Sequence, residues 1–450
     1  MTVLKINDNS IVPKIKFKNV SGIINLIANK TLGELESEGI FVFPDLVKNA
    51  QDITSEQIVL QEINENYCSS NVMGFLGYKD ERLVIESRFT TCKHDYFFQY
   101  LLERVLDFPN ILNLNTDMNR ENRLFNWFIF LFPYYLKSAM RKGIYKTYIC
   151  HEYNDSNVRG VIDVARHFRQ NFPFIGQVAY SQREFSYDND LMELVRHTVE
   201  YIKTKPYGNN LLRKVKDQVN LVISSTNNYE YHNRLKVIIK NKNNPVKHAY
   251  YHEYRSLQLL CLMILQHKKH QIGSGTNQIH GILIDGAWLW EEYMNTLISS
   301  YFYHPMNKNR KGAQELFSTD VRKEGLIYPD FLSKEIENRT IADAKYKPIG
   351  NIGNKDYLQV LAYMFRFGAK YGFYLYPETD INETGITKLI MNSGSTYENN
   401  VQPRNDIMVT KLGLKIPYFE TEKNSEYNYK DFKNDMISEE KIFLNKLLLK

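Results

Sequence analysis

The 450 residues carry a formal net charge of +6, with 57 Lys and Arg set against 51 Asp and Glu. So mild a balance permits a polyanionic partner without demanding one, and the length exceeds what one hydrophobic core usually serves, so two or three domains are expected. The four cysteines, Cys68, Cys92, Cys150 and Cys261, are too scattered for a C-x-x-C zinc pair or a disulfide framework, which points to a reducing, cytoplasmic setting.

The segment from Met1 to Lys18 alternates apolar and polar residues and lacks the continuous apolar run of a signal peptide. The first hundred residues read mainly as strands with short helices, and Phe75 to Ile85 reads as two strands around a polar turn. From Lys93 to Lys142 the pattern turns helical. Phe125 to Phe132 is apolar nearly all round, with Pro133 following, and reads as a buried core helix rather than a platform for stacking bases.

The polar stretch His151 to Asn157 marks a candidate domain boundary. Leu191, Leu194, Val195, Val199 and Ile202 then recur at helical spacing, with Asn189 or Asp190 as the cap. Leu211 to Ser224 and Tyr250 to His267 also read as helices, which makes the middle third helix-rich. The most apolar run, Leu257 to Leu265, is too short to span a bilayer, and no membrane partner is expected. Gly273-Ser274-Gly275-Thr276 reads as a loop. No Gly-Lys-Ser/Thr phosphate-binding motif occurs anywhere, so the chain is not expected to hydrolyse nucleotides by itself. His248 with His252, and His267 with His270, sit at helical metal-ligand spacing but lack a third ligand nearby, and the lysines from Lys236 to Lys247 read as a solvated face.

After residue 280 a helix (Trp288 to Tyr301) leads into strands, a helix (about Asp356 to Phe367) and an apolar strand (Tyr371 to Tyr376), an α/β core of modest size. Within it, Leu326 to Leu332 carries Pro329-Asp330, a polar turn runs from Ser333 to Arg339, and Thr340 to Lys347 carries Asp343-Ala344-Lys345. Two strands joined by a turn bring Asp330 near the second strand. Strand alternation puts Asp343 and Lys345 on one face and the small residues Ala342 and Ala344 on the other, where a helix would pack. Two converging carboxylates can hold Mg²⁺, which activates water and polarises a phosphodiester. A lysine two residues on can orient that water or stabilise the developing charge. An exposed Asp343–Lys345 ion pair with Asp330 as a turn residue is the alternative. On the Trp288 helix, the wheel puts Glu291 beside the apolar stripe and Glu292 nearly opposite. Glu291 is thus a candidate third metal-binding carboxylate, or an ordinary helix-flank glutamate. Gln359 and Tyr363 share one helix face, where Gln359 serves either the site or the core.

Pro329-Asp330, Asp343-Ala344-Lys345 and Gln359-x-x-x-Tyr363 together resemble the PD-(D/E)xK nuclease superfamily. More narrowly, Leu289-Trp290-Glu291-Glu292-Tyr293, Asp343-Ala344-Lys345-Tyr346-Lys347, Asp356-Tyr357-Leu358-Gln359 and Leu375-Tyr376-Pro377 resemble the McrC nuclease subunits of McrBC-type restriction systems. Arg159-Gly160-Val161-Ile162-Asp163 and Tyr187-Asp188-Asn189 are similar to the middle region of that family. The resemblance is strongest over 280–380 and weakest before 150, and it departs at Tyr328, where a basic residue is expected. It implies a multidomain α+β and α/β protein: an N-terminal β-containing region (1–150) that docks on a McrB-like AAA+ GTPase, a helical middle (151–280), and a C-terminal mixed-sheet PD-(D/E)xK core (281–450). The expected function is a Mg²⁺-dependent DNA endonuclease subunit that activates the GTPase. A catalytically idle activator of that GTPase, keeping the nuclease fold as scaffold, is the second reading.

Overall fold

Alternating and wholly apolar runs produce the expected N-terminal strands, but their pairing reaches across the whole sequence. The computed structural model describes residues 2–38, 40–43, 56–91, 95–106, 120–266, 279–305, 312–320, 323–380, 384–418 and 427–448. Val72–Tyr78 is buried along nearly its full length, as befits a central strand covered on both faces. It pairs antiparallel with Glu81–Glu86 around a turn in which Lys79 takes a φ of 47°, the two-strand unit expected from the sequence. Thr2–Asn7 runs parallel to Glu81–Glu86 on one side. On the other side of Val72–Tyr78 lies His280–Asp285, antiparallel to it and parallel to Ile40–Phe43.

A strand from late in the chain therefore completes the N-terminal sheet. This corrects the expected division at 150/151 and 280/281: residues 1–108 and 276–450 form one compact unit and residues 109–275 the other. The physical reason is that an interior strand must find hydrogen-bonding partners on both edges, and nothing in its local pattern says where in the chain they lie.

The same unit holds a six-stranded mixed sheet in the order Phe302–Tyr303, Phe331–Ser333, Thr340–Ala344, Tyr371–Glu378, Gln402–Lys415, Ile386–Ser393. Thr340–Ala344 is antiparallel to Phe331–Ser333 and parallel to Tyr371–Glu378. The crossover between the two parallel strands is the helix Asn354–Phe367, whose Val360, Tyr363 and Met364 pack with Ile341 and Tyr374 in one apolar cluster. Gly368 closes that helix at φ 63°, a conformation that favours glycine. The helix Gly286–Ile298 begins two residues before the expected Trp288 because buried Asp285 caps it, accepting from Trp288 N at 2.7 Å.

The C-terminal helix Tyr429–Leu448 delivers Glu440 to the interior, where its carboxylate accepts from Tyr100 Oη at 2.7 Å and Tyr293 Oη at 2.8 Å. Glu440→Ala is expected to cost about 2–4 kcal/mol, because two buried hydroxyls lose their acceptor. Glu440→Gln, which keeps an acceptor oxygen, should cost less. Urea unfolding of the three proteins decides this, and an alanine variant with the wild-type midpoint would refute it.

In residues 109–275, Asn189 caps the helix Asp190–Lys203 by accepting from Met192 N at 3.1 Å, as expected. The single helix expected over Leu211 to Ser224 is two, Gly208–Arg213 and Lys216–Ser225. Pro133 lies inside the helix Arg120–Ala139 rather than beyond its end. Burial of Phe128 to Phe132, Tyr135 and Leu136 offsets the missing backbone bond, worth about 3 kcal/mol. The expected boundary at His151 to Asn157 falls largely in the strand Thr147–Asp155, paired with Val178–Ser186. It is polar because alternate residues along it face solvent. His248 and His252 are exposed. His267, His270 and Gly273 to Thr276 lie outside the described residues. Among the described residues, no helix is long and apolar enough to cross a membrane.

Candidate active site

The register of the six-stranded sheet decides the site. Phe331 pairs with Ala342, so Asp330, one residue earlier, arrives beside the end of the Asp343 strand. Asp330 is not on a strand, as its run from Leu326 to Leu332 implied, but in the loop between Lys323–Ile327 and Phe331–Ser333. Its Oδ2 accepts from Ala344 N at 2.8 Å, and that bond fixes the carboxylate against the strand.

Asp343 and Lys345 share a face as alternation requires: Lys345 Nζ lies 2.6 Å from Asp343 Oδ2. The pair is not exposed. Asp343 is fully buried, and neither of its oxygens has a hydrogen bond of good geometry among the described residues. Burial raises its pKa, an effect that Lys345 opposes and Asp356 reinforces. Burial likewise works against the Lys345 ammonium, but the carboxylates of Asp343, Asp330 and Asp356 outweigh it and hold the amine firmly protonated. Gln359 Oε1 accepts from Lys345 Nζ at 3.2 Å, and Gln359 Nε2 donates to Tyr363 Oη at 2.8 Å. Tyr363 Oη in turn donates to the Tyr328 carbonyl at 3.1 Å. Gln359 is thus both a packed amide and a partner of the site lysine, and the two readings of it merge. Asp356, 2.7 Å from Lys347 Nζ, is held below the usual carboxylate range: burial raises it, but Lys347, the Gly353 N–H and Lys345 prevail.

Beside the buried Asp343 lies a cleft of about 350 Å³ whose lining includes Glu291, Asp330, Lys345 and Gln359. Glu291 faces it as the helical wheel predicts. Glu292 does not face open solvent; its side chain is only 20% exposed and lies 3.7 Å from His304 Nε2. His304, which sequence reasoning missed, donates through Nδ1 to the Asp330 carbonyl at 2.9 Å and lies 3.7 Å from Glu291. It stacks on Phe331 with ring centroids 5.0 Å apart. Burial lowers its pKa, but Glu292 and the Asp330 carbonyl more than reverse that, so the ring is more basic than usual. Nothing in the sequence around His304 signals this role, because the contact depends on the fold.

Among the described residues, no three His, Cys, Asp or Glu side chains stand close enough together to form a full ligand set. The donor chemistry still suits a hard cation. Mg²⁺ needs only one or two carboxylates and keeps several waters, and Asp343 presents buried oxygens that make no hydrogen bond of good geometry among the described residues and face the Lys345 ammonium. Asp330 and Glu291 are the other oxygen donors at hand.

Residues 69–377, well over half of the chain, match the profile of the McrBC 5-methylcytosine restriction system component family. The chain belongs to this family. No curated protein matches it. Two solved structures are similar at low identity, both from Thermococcus gammatolerans. One is a refined half-complex from a tetradecameric assembly of McrB AAA+ hexamers with bound McrC, at 15% identity over 97% of this chain and 100% of that one, with a TM-score of 0.45. The other is a cryo-EM structure of the McrBC complex, at 16% identity over 66% and 87%, with a TM-score of 0.31. The McrBC assignment rests on the family match alone. That match spans every candidate residue, from Glu291 to Gln359.

Proposed function

We propose that this McrBC-family chain is the McrC-like nuclease subunit of a restriction system, cutting DNA at the cleft beside Asp330, Asp343 and Lys345. The observation that carries this reading is the fully buried Asp343, with no hydrogen bond of good geometry among the described residues, ion-paired to Lys345, which opens onto a polar cleft. A purely structural carboxylate at that depth would be expected to take several hydrogen bonds. Asp343 and Asp330, with Glu291, would hold Mg²⁺, which when bound supplies a Lewis acid and a water of lowered pKa. The chain's own residues do the rest. Lys345 places a positive charge where the pentavalent phosphate develops negative charge. Gln359 fixes the lysine through Oε1 and is itself fixed through Tyr363. An idle scaffold would need the ion pair at most for folding, and would not need it to open onto a polar cleft beside Asp330 and Glu291.

We also read the chain as dependent on a McrB-like AAA+ GTPase for DNA recognition, because it carries no P-loop and its basic residues are nearly balanced by acidic ones. The test incubates the purified chain with DNA and Mg²⁺, with and without that GTPase and GTP. Cleavage is expected to be weak alone and strong with the partner. Robust site-specific cutting by the chain alone would refute the dependence, and no cutting in either arm would refute the nuclease reading. In the productive arm, Glu291→Ala should lose about tenfold or more in rate, worth some 1.4 kcal/mol, whereas Glu292→Ala should lose less. The reverse order would remove Glu291 from the site.

A further inference from the structure

The cleft is not built from the C-terminal sheet alone. Asn9, Asn71 and Arg88, from the N-terminal sheet, line it together with Glu291, Asp330 and Lys345. The topology explains how. Thr2–Asn7 and Glu81–Glu86 are parallel neighbours, so the residues just past their ends, Asp8 and Arg88, emerge side by side. Asp8 is fully buried and accepts from the Arg88 backbone N–H at 2.6 Å, from Nε at 3.1 Å and from Nη2 at 2.8 Å. Asn71 Oδ1 also accepts from Nη2. The guanidinium lies 4.9 Å over the ring of Tyr346, the residue after Lys345. That ring is pinned in turn by Ser87 Oγ, 2.6 Å from its hydroxyl. Gly286 lets the ring pass, since a Cβ there would lie 2.6 Å from it.

Two cations near the carboxylates of the cleft are already committed. Lys345 is paired with Asp343 and Lys347 with Asp356. Arg88 is different in kind, because a guanidinium has five donors in one rigid plane. Its Nε and Nη2 edge is used internally, while Nη1 has no partner among the described residues and the side chain reaches the cleft. A fork clamped at one edge, stacked on a ring and open at the other is preorganised to receive an oxyanion.

We propose that Arg88 is a phosphate-binding residue of this cleft, so that the N-terminal strands form one wall of the nucleic-acid site, with Asp8 as its positioning residue. The proposal rests on the nuclease reading for the identity of the phosphate, but not for its existence. It also gives residues before 108 a part in substrate binding, beyond the partner docking expected of them.

The test measures binding of a fluorescent DNA duplex to the full chain, without divalent metal, over a salt series begun at low salt, where phosphate contacts are strongest. Arg88→Gln alone leaves Asp8 buried without a counter-charge and could unfold. The Asp8→Asn/Arg88→Gln double variant removes both charges, and its folding is checked by thermal melting. The folded double variant should bind about tenfold more weakly and lose about one unit of salt slope. Asp8→Asn alone, which keeps the guanidinium but loosens its clamp, should weaken binding less than the double variant does while keeping the wild-type salt slope. Wild-type affinity and slope in the double variant, or no duplex binding by the wild type even at low salt, would overturn the proposal. Asp343→Asn serves as the separate control. If it cuts DNA like wild type, Asp343 is not part of the chemistry and the catalytic role proposed for this cleft fails, while the salt slope still judges Arg88.

Discussion

Replacing Asp343 by asparagine is expected to lower Mg²⁺-dependent DNA cleavage by about a thousandfold or more while leaving the protein folded. The side chain is fully buried and its oxygens have no hydrogen bonds of good geometry among the described residues. Asparagine keeps the packing but gives up the 2.6 Å ion pair with Lys345, whose ammonium retains the carboxylates of Asp330 and Asp356 nearby. What it removes is a negative donor for the metal, whose charge supplies several kcal/mol of transition-state stabilisation, and about 4 kcal/mol corresponds to three decades in rate. DNA affinity without metal should be unchanged or slightly raised, because one negative charge has left the cleft. Single-turnover cleavage with the partner present and circular dichroism of the variant measure both sides. A folded Asp343→Asn protein that cuts at the wild-type rate would remove Asp343 from the chemistry.

The second large effect is thermodynamic. Lys345→Met leaves Asp343 buried beside no close cation, and stripping one member from a buried ion pair typically costs about 3–5 kcal/mol. The next ammonium, Lys347, is already engaged 2.7 Å from Asp356. Adding Asp343→Asn to Lys345→Met removes the stranded charge, so the double variant should recover most of the lost stability while remaining inactive. Urea denaturation of the wild type, both single variants and the double variant closes the cycle. Additive losses, with no recovery in the double variant, would show that the 2.6 Å pair is not energetically coupled. Recovery of stability without recovery of cleavage would separate the role of Lys345 in folding from its role at the phosphate.

Much of the site was written locally. The alternation Asp343, Ala344, Lys345 put the carboxylate and the ammonium on one strand face, and the turn after Leu332 brought Asp330 back toward them. The spacing of Gln359 and Tyr363 placed the amide on the helix face that now supports Lys345. The wheel position of Glu291 put it on the cleft. All of these are effects of period 2 or period 3.6 within one or two elements, and side-chain direction over that range follows from backbone geometry. The cap at Asn189 is of the same kind, because a short polar side chain answers a backbone N–H three residues away.

Only the tertiary structure decided the rest. His280–Asp285 reads as an ordinary apolar run, yet it is the strand that joins the N-terminal sheet to the site-bearing half. The loop placement of Asp330 depends on where pairing with Thr340–Ala344 stops. His304 gains its role through contacts with Glu291, Glu292 and Asp330. Asp8 and Arg88 are 80 residues apart along the chain and Asn71 and Arg88 are 17 apart, with no common pattern; a parallel strand register brings Asp8 and Arg88 together. Local propensity fixes which way a side chain points from its own element. Which elements then meet is set by the burial of apolar faces and the pairing of strand edges between segments far apart in sequence, and those choices leave no periodic trace in any single window.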